Sequence, residues 1–168
     1  MVFLSLGSNL GNRAQYLQHA LFLLHREVGE VVRVSPLYES PAWGFSSDPF
    51  YNICVELHTD LPLETLLPKL HAIEARLGRV RSAQPSAGYK ARTLDIDILY
   101  YGDKVVQTDT LCVPHPQLAL RRFVLQPLAD IAPDFVDPVK GQTISQLLEA
   151  CPDTASLTLV KQDFALPV

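Results

Sequence analysis

At 168 residues, with 48% hydrophobic and 19% charged side chains, the chain has the length of one ordinary domain and enough apolar material for a core, which excludes chain-wide disorder. A formal net charge of -4 excludes a global basic field for nucleic acid or an anionic membrane. Cys54, Cys112 and Cys151 are scattered and form no C-x-x-C pair, which argues against a zinc knuckle or a disulfide framework, and every apolar run falls short of the ~20 residues of a membrane span.

The expectation is therefore a single cytoplasmic domain over residues 1–168. Residues 2–6 are apolar without a basic leader and read as a first strand rather than a signal peptide. A turn follows over residues 7–12. Asn12 is placed to cap a helix whose apolar stripe is Leu17, Ala20, Leu21, Leu24 and Val28, with Gly29 as its stop. Val32, Val34 and Tyr38 mark an extended segment, and residues 40–49 a loop rich in Pro, Ser and Gly. Residues 51–58 read as a strand with Ile53, Val55 and Leu57 on one face. A second helix is predicted over residues 62–77, with Leu63, Leu66, Leu67, Leu70, Ile73 and Leu77 as its stripe and Gly78 as its end.

Residues 79–91 are polar, basic and aperiodic, and read as a long mobile loop. A strand is expected over 93–100, then a hairpin turn at 101–104 into Val105 and Val106. A Pro-flanked loop at 113–116, short helical patterns over 118–131, a helix over 144–150 and a last strand near 157–160 complete the chain. The opening order of strand, helix, strand, strand, helix, strand is the split βαβ pattern of an α+β ferredoxin-like sandwich. An antiparallel sheet carries the two helices on one face, with C-terminal additions.

The most informative run is Arg92-Thr93-Leu94-Asp95-Ile96-Asp97-Ile98. In a strand, Leu94, Ile96 and Ile98 enter the core, while Asp95 and Asp97 project from the other face, ~6.6 Å apart along the strand. Neighbouring carboxylates repel unless a cation lies between them. Hard oxygen pairs suit Mg²⁺, which completes its shell with water and phosphate oxygens. The plain alternative is a half-solvated strand with two charged outer residues, and spacing alone does not separate the two. Arg79, Arg81, Lys90, Arg92, Arg121 and Arg122 tip the balance, because guanidinium forks match phosphate oxygens. Together the groups suit a polyphosphate. His115, stiffened by Pro114 and Pro116, can donate to a phosphate oxygen. The turn at residues 7–12 matches neither common nucleotide motif. Loop aromatics beside Asn52 could sandwich a flat heterocycle.

Gly7-Ser8-Asn9, Tyr38-x-Ser40-Pro41, Asn52, Gly78-Arg79-Val80-Arg81, the Arg92–Ile98 run and Val113-Pro114-His115 stand in one order over nearly the whole chain. In this the sequence resembles the 6-hydroxymethyl-7,8-dihydropterin pyrophosphokinase family. The resemblance implies a ferredoxin-like fold with mobile catalytic loops, and transfer of the β,γ-diphosphate of ATP to the pterin hydroxymethyl group, releasing AMP. It implies two Mg²⁺ ions held by Asp95 and Asp97, with Arg79, Arg81 and Arg92 closing over the triphosphate and His115 and Arg121 binding it from the far side. Glu74 and Ile98 would help seat the nucleotide. For the pterin it implies contacts from Gly7, Ser40, Pro41, Trp43, Phe50, Asn52 and Phe123. The partners implied are ATP and the pterin, with no nucleic acid and no membrane, and the chain is expected to act as a monomer. Tyr89-Lys90-Ala91 stands where the family often has Trp-Gly-Pro, Phe50 where a tyrosine is common, and Thr110 and Cys112 where Arg and Thr can contact nucleotide.

Two other readings compete. A non-catalytic ferredoxin-like module binding nucleic acid or another ligand would use an open sheet face, but Asp95 and Asp97 on that face repel a phosphate backbone. Another ATP-dependent transfer would keep the metal site and give a different nucleotide product.

Overall fold

Strand β1 (Val2–Ser8) is buried at every residue, because it runs through the middle of a sheet with cover on both faces. In this computed structural model the described residues are 1–41, 49–78 and 93–165. They form β1, α1 (Arg13–Glu27), β2 (Glu30–Val34), β3 (Leu37–Ser40), β4 (Phe50–His58), α2 (Leu63–Arg76), β5 (Asp95–Tyr101), β6 (Val106–Gln107), β7 (Cys112–Val113), α3 (Arg122–Ile131), α4 (Ile144–Glu149) and β8 (Thr158–Val160). The main sheet has the order β5-β1-β4-β3-β8 with antiparallel pairs throughout, and β2 pairs the far end of β4.

Helix starts and stops follow the local chemistry. Asn12 accepts the Gln15 N–H at 3.2 Å, and the expected stripe of α1 is buried against the sheet. Gly78 ends α2 at φ +99, a left-handed conformation that favours glycine. Leu63, Leu66, Leu70 and Ile73 of α2 are buried, whereas Leu67 and Leu77 only flank the core. These helices cover Val2, Leu4, Leu6, Ile53, Val55, Leu57, Ile96 and Ile98 on one face, each such side chain contributing about 1.5–3 kcal/mol.

The other face is not left bare. α3 and α4 pack Val124, Leu125, Leu128, Ile131, Ile144 and Leu147 onto Phe3, Cys54, Leu99 and Tyr100. A register shift between Phe3 and Leu4 accounts for Leu99 and Tyr100 both joining this second layer: Leu4 faces Ile98 while Phe3 faces Tyr100. The Tyr100 hydroxyl donates to buried Asp137 at 2.6 Å.

The expected hairpin from β5 into Val105 and Val106 needs correction. The turn is present, with Lys104 N–H donating to Tyr101 O at 3.0 Å, but β6 pairs β7 in a separate two-stranded ribbon. One edge of β5 belongs to β1, and the other receives His115 N–H at Leu99 O and gives Ile96 N–H to Glu74, so the returning chain finds no free ladder there. The expected strand over 93–100 runs instead from Asp95 to Tyr101.

Candidate active site

α3 and α4 cover only part of the second sheet face, and the uncovered part holds two rows of cross-strand neighbours. Gly7 of β1 lies between Asn52 of β4 and Asp95 of β5, and Ser5 lies between Cys54 and Asp97. The end of β3 adds Ser40 and Pro41, the start of β4 adds Phe50, and the start of α3 adds Arg121 and Phe123. With Ser5, Gly7, Asn52, Asp95 and Asp97 these line one pocket.

The pterin-assigned wall is shaped by close approach. A Cβ at Gly7 would stand 3.2 Å from Asn52 Oδ1 and 3.6 Å from the Phe50 ring, so glycine leaves the room that the carboxamide occupies. Asn52 is 3% exposed, and its Nδ2 donates to Ser40 Oγ at 2.7 Å, which fixes the carboxamide plane. Arg121 lies 5.7 Å from the Phe123 ring centroid and bonds Gln117, so a cation borders the aromatic wall.

A second groove opens across the outer edge of β5, lined by Leu67 and His71 of α2, Ile96 to Ile98, residues 108–112, His115 and Pro116. Asp97 lines both cavities. His115 is held by its own N–H to Leu99 O and by its carbonyl accepting from Leu118 N–H. Its Nδ1 accepts from Gln117 N–H at 3.2 Å, which leaves the proton of the neutral ring on Nε2. Burial, then the Arg121 charge, lower its pKa to about 4, against a smaller opposing pull from Asp95. A neutral Nε2–H donor is the result.

Behind the acidic pair, Glu74 is 1% exposed and its carboxylate accepts the Ile96 N–H at 2.8 Å. Ile96 sits between Asp95 and Asp97, so α2 braces the strand at the point from which both carboxylates project. Among the described residues no group of three or more His, Cys, Asp or Glu gathers as a metal cage. Two carboxylates sharing a pocket fit Mg²⁺, which takes its other ligands from water and phosphate.

The family model for 7,8-dihydro-6-hydroxymethylpterin-pyrophosphokinase (HPPK) matches residues 3–133. The chain belongs to this family. A 2-amino-4-hydroxy-6-hydroxymethyldihydropteridine pyrophosphokinase of Synechocystis sp. is 44% identical over 151 residues, 89% of this chain and 75% of that protein. The Pseudomonas aeruginosa protein of the same name is 42% identical over 153 residues, 90% and 91% of the two chains. The folic acid synthesis protein fol1 of Pneumocystis carinii is 40% identical over 153 residues, 90% of this chain and 20% of that one. In fold, the Plasmodium falciparum HPPK-DHPS structure superposes with a TM-score of 0.71 at 17% identity, covering 89% of this chain and 44% of the longer one. Like other members of the HPPK family, the chain is an ATP-using pyrophosphokinase of folate biosynthesis.

Of the residues expected in the site of this HPPK chain, Gly7, Ser40, Pro41, Phe50, Asn52 and Phe123 share one pocket with Asp95, Asp97 and Arg121, and Ile98 and His115 line the groove. Trp43, Arg79, Arg81 and Arg92, with Tyr89 and Lys90, lie outside the described residues. Glu74 is placed behind β5 and does not line the groove. Sequence reasoning passed over Ser5, Leu67 and His71. Ser5 stands two residues before Gly7, so strand alternation pointed to it; Leu67 and His71 are four apart on α2, and the leucine was assigned to the core stripe.

Proposed function

We propose that the larger substrates enter from opposite sides, the pterin into the pocket under Phe50, Asn52 and Phe123, ATP into the groove along β5, with the reaction at Asp97. The observation that carries this is the lining of both cavities by that one residue. Phe50 and Phe123 would hold the flat ring system, and the Asn52 carboxamide, oriented by Ser40, would read its polar edge. Ile96 N–H points away from β1, so Ile98, two residues on, presents its backbone along the same edge and suits the nucleotide. His115 Nε2–H and Arg121 would donate to phosphate oxygens.

Asp95 and Asp97 would hold Mg²⁺, and two ions are proposed. The metal would supply positive charge that neutralises the phosphate oxygens and leaves the β-phosphorus more open to attack. The hydroxymethyl oxygen would bond to the β-phosphorus as the bond from that phosphorus to the AMP oxygen breaks, in line, with AMP leaving on that oxygen and the hydroxyl proton passing to solvent. Arg79, Arg81 and Arg92 would add charge over the triphosphate. Gly78 and Thr93, to which Arg79 and Arg92 are joined, lie side by side, a Cβ at Gly78 falling 3.4 Å from Thr93 Oγ1, which brings both chain ends to the start of β5. We propose likewise that the chain acts as one domain and as a monomer. A cytoplasmic place is proposed; no helix among the described residues is long and apolar enough to cross a membrane.

Incubation with ATP, Mg²⁺ and hydroxymethyl-dihydropterin, followed by nucleotide chromatography, tests the reading. AMP in step with pterin diphosphate is expected. ADP as the nucleotide product overturns it.

A further inference from the structure

Arg13 is the first residue of α1, where a positive charge opposes the helix dipole, and the first turn carries no acidic residue to offset it. Its side chain therefore costs the helix some stability, and its contacts lie elsewhere. Nη1 donates to Pro49 O at 2.7 Å, the guanidinium carbon stands 3.8 Å from the centroid of the Tyr51 ring, and Nη1 lies 3.9 Å from Glu39 Oε2. Glu39 and Tyr51 are cross-strand partners of β3 and β4, and the next pair along is Ser40 and Phe50. Side chains alternate across a sheet, so Glu39 and Tyr51 present the side opposite to Ser40 and Phe50, which line the pterin-assigned pocket. The guanidinium makes all three contacts at once: a hydrogen bond to Pro49 O, an ion pair with Glu39 and a stacking contact on Tyr51.

We propose that Arg13 is a positioning residue for the pterin, clamping the β3–β4 pair from behind so that Ser40, Pro41 and Phe50 keep their places in the pocket wall. This rests on the functional reading above and adds to it a specificity device for one of the two substrates. Among the described residues, the contacts of Arg13 with Glu39, Pro49 and Tyr51 lie away from the groove along β5.

The test is steady-state kinetics of the full chain with R13A, R13K and Y51L. R13A is expected to raise KM for the pterin by roughly tenfold or more, since small misplacements of a binding wall are costly, while leaving KM for ATP unchanged. R13K, which keeps the charge but loses the planar fork, should recover only part of that effect. Y51L should raise the pterin KM alone, by less than R13A. Should R13A fail to match the wild-type circular dichroism, R13K and Y51L carry the same split. Equal rises in both KM values, or an unchanged pterin KM in folded variants, overturns the inference while AMP release by the wild type leaves the site reading standing. A wild-type chain that releases no AMP overturns that reading, and the role of Arg13 with it.

Discussion

The proposed reaction converges on Asp97, which lines both cavities and is only half-buried, so its charge can be removed without opening the fold. D97N should lower turnover at least roughly a hundredfold, because a lost metal-ligand charge removes several kcal/mol of transition-state stabilisation. Its circular dichroism should match that of the wild type, since Asp97 is only half-buried at the pocket. Near-normal turnover would end the metal assignment. His115 makes a different prediction. Its pKa is lowered from the ordinary 6.5 to about 4, so between those values the unfolded chain binds a proton that the folded chain refuses. The associated stability is fully present above pH 6.5 and is lost as pH falls through about 4, on the order of 2 kcal/mol in all. In metal-free protein the imidazole proton resonances should titrate near pH 4, and wild type should lose melting temperature relative to H115Q as the pH is lowered through this window. A midpoint near 6.5 would mean that the ring is solvated and that burial and Arg121 do not hold it neutral.

At the scale of elements, β5 is held on both edges and its acidic pair is aimed by that restraint. Glu74 supplies one hold from α2 through the Ile96 N–H. E74L leaves this buried N–H without that acceptor and should cost about 1–3 kcal/mol, with turnover falling because Asp95 and Asp97 flank the released peptide. E74Q keeps an acceptor oxygen and should lie much nearer to wild type in both readouts; if E74L unfolds no earlier than E74Q, the brace is not what holds the strand. These elements also show where sequence stops being informative. The alternation Asp95-Ile96-Asp97-Ile98 carries its own geometry, because period two is local, and the apolar stripe of α1 does so at period 3.6. The bulge at Leu99 is invisible in that run, since it arises from pairing with Phe3, almost a hundred residues earlier. The pairing of β6 with β7 was likewise hidden: it depends on both edges of β5 being taken. Glu74 reads as a polar residue within the α2 pattern and only the folded chain shows it facing Ile96. Arg13 gives no signal in sequence, because its partners Glu39, Pro49 and Tyr51 come from β3, β4 and the residue before β4.

The whole molecule is built from two apolar layers that share one sheet, and the site lies where the second layer stops. Leu21 of α1 belongs to the first layer and Leu128 of α3 to the second, and both are fully buried. The second layer has no strand of its own: β1 gives Leu4 and Leu6 to the first layer and Phe3 to the second, and β4 gives Ile53 and Val55 to the first and Cys54 to the second. Loosening either layer therefore frees strands on which the other depends, and the chain should unfold as a single cooperative unit despite its two cores. L21A and L128A should each cost about 2–5 kcal/mol, and each should shift one common urea midpoint seen alike by far-ultraviolet and tyrosine circular dichroism. Separate transitions, with L128A moving only one, would show that α3 and α4 melt off an independent first layer. The two variants should part in their kinetics. α3 delivers Phe123 to the pocket from the same helix that buries Leu128, whereas Leu21 lies on the far side of the sheet, so L128A should raise the pterin KM well below its unfolding temperature and L21A should leave it unchanged.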